Sequence, residues 1–322
     1  MEIIRADDTY ARTMEETAVP FLAQRCREGW SRTHAGDGQL YYRQYTSDGD
    51  RGTIVLLHGF SEGIDKFRET VYYFLQSGFH VWLLQQRGHG RSVRSTDDIS
   101  VVNIADFREL IQDVHTFVSE IVKKSPLTDP EKLYLFGHSM GGGVSACYLE
   151  AWPEDFKKAV LSSPMLEITS APIPLPLAKV FANLMIAAGK GASGMPGAKP
   201  FSPEPDFENS CGNSPERYAY WFEQMKAEPK YQMCIPSIAA SLQFFRLTQF
   251  ARQEKMCRKV RAQVLLMQAG KDNMVLPGGQ EAFIRQIGGL GRIVRFPEAK
   301  HEIFMSTDEI LERYWKEILD FL

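Results

Sequence analysis

A serine hydroxyl attacks a carbonyl carbon efficiently only when a nearby base takes its proton and a third group holds that base in place. The chain offers residue types for this at three well-separated points: Ser139, Asp272 and His301. Ser139 sits in Gly137-His138-Ser139-Met140-Gly141, straight after the apolar run Leu133-Tyr-Leu-Phe136. Small residues follow it: Gly142, Gly143, Val144, Ser145 and Ala146. That order reads as strand, tight turn and helix, the context that holds a serine exposed on a strained corner. Alone, G-x-S-x-G is modest evidence, since it arises by chance about 0.1 times in a chain of this length. The partners must decide.

Both partners follow apolar runs of strand type. Gln263-Val-Leu-Leu-Met267 leads to Asp272, and Ile293-Val-Arg-Phe296 leads through Glu298 to His301. Glu298 is the rival acid, three residues before the histidine, but the position of Asp272 in a loop directly after a strand favours it. A third run, Thr53-Ile-Val-Leu-Leu57, ends in His58-Gly59-Phe60. Acyl transfer needs backbone N–H donors aimed at the oxyanion, one from the residue after the nucleophile and one from an early loop. Met140 and Phe60 are the candidates, with Gly59 letting the backbone pass close to the substrate. His58 is read as a scaffold for that loop, and His89, His115 and His138 as structural.

Elements that could bring these residues together alternate along the chain. Strands are expected at residues 40–45, 53–57, 80–84, 133–136 and 158–162, with an earlier strand near Trp30 turning at Gly36-Asp-Gly38. Helices are expected at residues 67–76 and 104–122, the latter carrying Phe107, Leu110, Ile111, Val114, Phe117, Val118 and Ile121 on one stripe. Ser306 and Glu309 read as a capping box before a last helix whose stripe includes Leu311, Tyr314 and Trp315. This order predicts an α/β fold with a mostly parallel, doubly wound sheet and an antiparallel N-terminal edge. Ligands in such sheets bind beyond the carboxyl ends of the strands, where all four motifs fall. The alternation stops after Ser163-Pro164. Residues 165–246 hold most of the prolines, no clean strand, an apolar segment at residues 177–188, and helical patterns near residues 218–226 and 238–252. We read residues 1–164 and 247–322 as the core and 165–246 as an inserted helical cap.

Composition is that of an ordinary globular enzyme, with 44% hydrophobic and 24% charged residues among 322. A net charge of −3 and no basic cluster argue against a nucleic-acid partner. Five cysteines, odd in number and never in C-x-x-C, point to reduced thiols and a cytoplasmic setting, with neither a disulfide frame nor a metal site. The acidic first twenty residues do not read as a secretory leader. The apolar stretch at residues 177–188 is too short for a spanning helix, which needs roughly 20 residues. It suits a cap core, an acyl-chain wall or peripheral contact with a membrane surface.

Five segments together, His58-Gly-Phe-Ser-Glu62, Gln86-Arg-Gly-His-Gly-Arg-Ser92, Gly137-His-Ser-Met-Gly-Gly142, Ala269-Gly-Lys-Asp-Asn273 and Lys300-His-Glu302, resemble the lysophospholipase and monoacylglycerol lipase branch of the α/β-hydrolases, most of all the bacterial lysophospholipases. The resemblance runs from about residue 30 to 322, apart from residues 165–246. It implies the α/β-hydrolase fold and a serine hydrolase for single-chain lipid esters, with Ser139, Asp272 and His301 as the triad and no cofactor or metal. Such an enzyme would be cytoplasmic, or peripheral at the inner face of the membrane. Relatives usually have an acidic residue where this chain has Gln85, which is read as structural support. The alternatives are a small-ester carboxylesterase, an aminopeptidase using Glu204, Asp206, Glu208 or Glu223 to bind a free amine, and a non-catalytic binding protein on the same scaffold.

Overall fold

The computed structural model describes residues 2–322. Ten strands form in chain order: β1 (Cys26–Arg32), β2 (Gln39–Tyr45), β3 (Gly52–Leu57), β4 (Phe79–Leu84), β5 (Val101–Val102), β6 (Leu133–His138), β7 (Lys158–Ser162), β8 (Ile235–Pro236), β9 (Gln263–Ala269) and β10 (Gly291–Phe296). The helices are α1 (Tyr10–Thr13), α2 (Val19–Ala23), α3 (Arg68–Gln76), α4 (Phe107–Phe117), α5 (Met140–Ala151), α6 (Leu175–Ala187), α7 (Pro215–Ala227), α8 (Ile238–Phe250), α9 (Glu254–Cys257), α10 (Pro277–Ile287) and α11 (Asp308–Phe321).

Eight strands make one sheet in the order β1-β2-β4-β3-β6-β7-β9-β10. β1 pairs β2, and β2 pairs β4, antiparallel; every other neighbour is parallel. The expected α/β-hydrolase architecture, with its antiparallel edge, is therefore present. β3, β4 and β6 are buried at every position, as strands covered on both faces must be. Alternate residues feed two cores. Val55, Leu57, Leu135 and Leu161 pack under α4, α5, α8 and α10. Ile54, Leu56, Phe136 and Val160 face α3, α11 and the N-terminal arm.

Several local expectations need correction. α4 starts at Phe107 because the Asp106 carboxylate accepts the Arg108 N–H and caps it. The Ser306–Glu309 capping box does not form: α11 begins at Asp308 after Thr307, and the Ser306 hydroxyl is spent on Asn213 Oδ1 at 3.3 Å. Asp308 instead holds Arg217 and the Ala6 N–H. Tyr10–Ala23, left unassigned above, is helical, and it packs on α3 and α7. Residues 165–246 include a short strand, β8, which pairs in parallel with β5. Position 246 falls inside α8, whose Ala240, Phe244 and Leu247 belong to the same core cluster as α4 and α5.

Candidate active site

The corner between β6 and α5 positions the first functional atom. Ser139 adopts φ +51° and ψ −117°, a region that costs a non-glycine residue energy. Surrounding bonds over-determine it: its N–H donates to Ser162 O at 3.1 Å, and its carbonyl accepts from Gly143 and Met165 at 3.0 and 2.8 Å. Glycine is required beside it. A Cβ on Gly141 would sit 2.3 Å from Leu57 O and 2.5 Å from His58 O, so only a hydrogen lets α5 close onto β3.

Ser139 Oγ lies 2.8 Å from His301 Nε2, and His301 Nδ1 lies 2.8 Å from Asp272 Oδ2. The other carboxylate oxygen of Asp272 accepts N–H bonds from Met274 and Val275 at 2.9 and 3.0 Å. Burial would raise the Asp272 pKa. The hydrogen bond and charge of His301, with the two N–H donors, outweigh it and leave the group below its ordinary value. The rival Glu298 is solvent-exposed and pairs with Lys271. The three residues singled out in the sequence thus meet in one hydrogen-bonded chain, at the carboxyl ends of β6, β9 and β10.

The early loop closes over the same serine. A Cβ on Gly59 would come within 3.1 Å of Ser139 Cβ. His58 is fully buried, and its Nε2 accepts the Gln86 N–H at 3.0 Å. Burial lowers its pKa and keeps the ring neutral. With Nε2 accepting, the proton sits on Nδ1, which donates to Gly59 O at 2.7 Å. In a planar trans peptide, C=O and N–H point in opposite directions. Holding the Gly59 carbonyl therefore fixes the direction of the Phe60 N–H. Met140 is the first residue of α5, so its own N–H has no acceptor within the helix. The Phe60 ring packs edge-on against Phe244 and His89.

His89, His115 and His138, read from sequence as structural, each bond or pack locally. His138 is buried, bonds Ser162 O at 3.1 Å and packs 5.0 Å from the His301 ring. His89 bonds Arg87 O at 3.0 Å inside the turn after β4, and His115 stacks on Trp152 at 3.8 Å. Gln85 braces that turn, with its side-chain oxygen accepting the Arg91 N–H at 2.8 Å. Sequence reading missed a buried group behind the histidine: Glu62, Lys66 and Glu302. Glu62 and Glu302 are the last residues of two quoted motifs, so the charged residues within those motifs were the available signal. Glu62, His138 and Glu302 also bring one donor atom each within 4.8 Å of one another, a spacing that could hold a cation. Here the Lys66 ammonium already pairs with both carboxylates.

A strained serine at the strand–helix corner of a mostly parallel sheet, in line with histidine and aspartate, defines the α/β-hydrolase class. The chain belongs to the family described as serine aminopeptidase, S33, whose model matches residues 48–308. It is 26% identical over 280 residues to the monoacylglycerol lipase of Mycolicibacterium smegmatis, covering 86% of this chain and 90% of that protein. Lysophospholipase L2 of Escherichia coli is 30% identical over 115 residues, covering 36% of this chain and 33% of that protein. Among solved structures, a Bacillus coagulans carboxyl esterase superimposes with a TM-score of 0.73 at 18% identity, covering 92% of this chain and 97% of the other. The Paleococcus ferrophilus monoacylglycerol lipase gives 0.66 at 22% identity, covering 88% and 97%.

Proposed function

We propose that this chain is a serine esterase cleaving single-chain lipid esters, lysophospholipids or monoacylglycerols, through an acyl-enzyme on Ser139. The observation that carries the reading is the unbroken chain from Ser139 Oγ through His301 to Asp272, on a serine held at positive φ. His301 Nε2 takes the Ser139 proton as Oγ bonds to the ester carbonyl carbon. The Phe60 and Met140 N–H groups hold the oxyanion, each worth about 10²–10³ in rate. The carbon–oxygen bond to the alcohol then breaks, and the alcohol oxygen takes the proton from His301. Water, deprotonated by the same histidine, releases the fatty acid. Asp272 fixes the Nδ1–H tautomer and offsets the imidazolium charge.

The lipid preference rests on the names of the relatives and on α6. Ile173, Leu177, Val180, Phe181 and Leu184 are all more than 40% exposed in and beside this helix, an apolar face suited to a lipid surface. No described helix is long and apolar enough to cross a membrane; we assign α6 as the part of the cap that touches the bilayer from one side. Five unpaired cysteines suit a reducing cytoplasmic compartment. The family name keeps an aminopeptidase in view. Glu204, Asp206, Glu208 and Glu223 are all exposed, however, which argues against a buried amine-binding pair among them.

Product release from monoacylglycerols, lysophospholipids, short-chain esters and aminoacyl amides tests the assignment. The lipid esters should turn over fastest. Faster release from aminoacyl amides would replace this reading with the peptidase one.

A further inference from the structure

The oxyanion loop and the histidine loop are separated by more than two hundred residues, yet a buried chain of charges joins them. Glu62 Oε2 accepts the Gly59 N–H at 2.5 Å, one peptide before the Phe60 donor. Its other oxygen pairs with Lys66 Nζ at 3.1 Å. Lys66 pairs in turn with Glu302 Oε1 at 2.5 Å, and Glu302 directly follows His301. The three side chains are only 5%, 8% and 13% exposed. Trp221 and Phe304 enclose the ammonium. The Glu302 backbone is pinned separately, its N–H donating to Cys211 O at 2.8 Å.

Three buried charges with net charge −1 are an expensive way to build a core. Replacing buried ion pairs by apolar groups of similar volume is often neutral or stabilising. A cluster that only filled space would have no need to end on a peptide flanking the oxyanion donor at one side and beside the histidine at the other. We infer that Glu62, Lys66 and Glu302 are positioning residues that set the distance between the Phe60 N–H and His301 Nε2. Oxyanion and proton acceptor are thereby held in register about one reacting carbon. The inference rests on the acyl-transfer reading above.

Glu62→Gln tests the bridge at its narrowest point. Gly59 N–H and Lys66 take different oxygens of Glu62; an amide puts an NH2 donor at one of those positions and removes the charge, so both contacts cannot be kept as they stand. Glu302→Gln weakens the other end. Each variant should lower kcat about tenfold with KM within about twofold of the native value. Affinity for a trifluoromethyl ketone, which forms a tetrahedral adduct on the serine, should fall by the same factor as kcat/KM. Affinity for the product fatty acid should not change. The double variant should lose about as much as either single one, because the chain acts as a unit, and Lys66→Arg should keep more activity than Lys66→Met. Single variants within twofold of native kcat, or losses that multiply in the double variant, would overturn the inference. Thermal midpoints identify a misfolded variant; if Glu62→Gln is one, Glu302→Gln, with the more exposed carboxylate, carries the same comparison. Fluorophosphonate labelling of the native enzyme separates the two readings. No label at Ser139 defeats the acyl-transfer scheme, whereas normal labelling with unaffected bridge variants defeats the bridge alone.

Discussion

His58 Nδ1 donates to the carbonyl oxygen of Gly59, its immediate neighbour, at 2.7 Å. A side chain thus locks the peptide that carries the Phe60 N–H, the proposed oxyanion donor, and the ring is held in turn by Gln86, which also donates to His58 O at 2.7 Å. Replacing His58 with Phe keeps an aromatic ring, somewhat larger, and removes both bonds made by the imidazole nitrogens. We expect kcat to fall about ten- to a hundredfold, less than the 10²–10³ for deleting an oxyanion donor outright. KM should change little. Steady-state kinetics on a soluble ester checks this, and unchanged kcat would show that the loop holds its direction without the ring.

Gly141→Ala tests the close approach of α5 to β3. The added methyl would meet backbone oxygens at 2.3 and 2.5 Å, which cannot rotate away as a side chain could. Overpacking of this kind costs about 1–3 kcal/mol. The denaturant midpoint should drop accordingly, and activity should fall because the serine corner moves with the helix.

Arg217 is fully buried and reaches Glu69, Asp308, Ser306 O and Ile4 O. It clamps α7 to α3, α11 and the N-terminal arm together. Arg217→Met leaves Glu69 buried without its cation, and breaking such a pair costs about 3–5 kcal/mol. Urea unfolding should show a loss of that order.

Glu150, buried at the far end of α5, has its pKa pushed up to about 8, mainly by desolvation. In the unfolded chain it titrates near 4.3. The folded state therefore holds the extra proton between those values, and stability falls as pH rises through that window. Glu150→Gln should remove this slope and stabilise the protein above about pH 5, with the gain growing toward pH 8. Asp272 behaves oppositely. Its folded pKa is lowered, so its contribution is present above about pH 3.9 and is lost as pH falls through the folded value. Thermal midpoints of the native protein and Glu150→Gln across pH 5–9 check the first sign. A parallel pair of curves would contradict it.

Leu177 and Leu184 are 61% and 66% exposed on α6. Changing both to Ser should reduce sedimentation with phosphatidylglycerol vesicles and slow hydrolysis of vesicle-borne substrate. Turnover of a short soluble ester should stay the same. Equal losses on both substrates would make α6 part of the pocket rather than a lipid-facing surface.

How much of this was legible before folding follows from the range of each interaction. The serine corner is written within ten residues, because strand, glycines and helix are local, and the mostly parallel sheet followed from the alternation of strands and helices. Asp272 and His301 were recoverable because each lies in a loop directly after a recognisable strand. The Ser306 cap was misread because its hydroxyl has a partner in a distant loop, Asn213. The clamp between Arg217 and Ile4, and the bridge from Lys66 to Glu302, join residues 213 and 236 positions apart. No periodicity or turn chemistry encodes such pairs. The sheet of β5 and β8, two residues per strand, escaped for a simpler reason: two residues are too few to show a period.

The central claim concerns one covalent bond. Intact-mass spectrometry after brief incubation with a fluorophosphonate, followed by peptide mapping, reads it directly. The account predicts a single adduct on Ser139 in the native protein, and none in either Ser139→Ala or His301→Ala over the same time. An adduct mapped to another residue, or a Ser139→Ala protein that still hydrolyses lipid esters at the native rate, would contradict it.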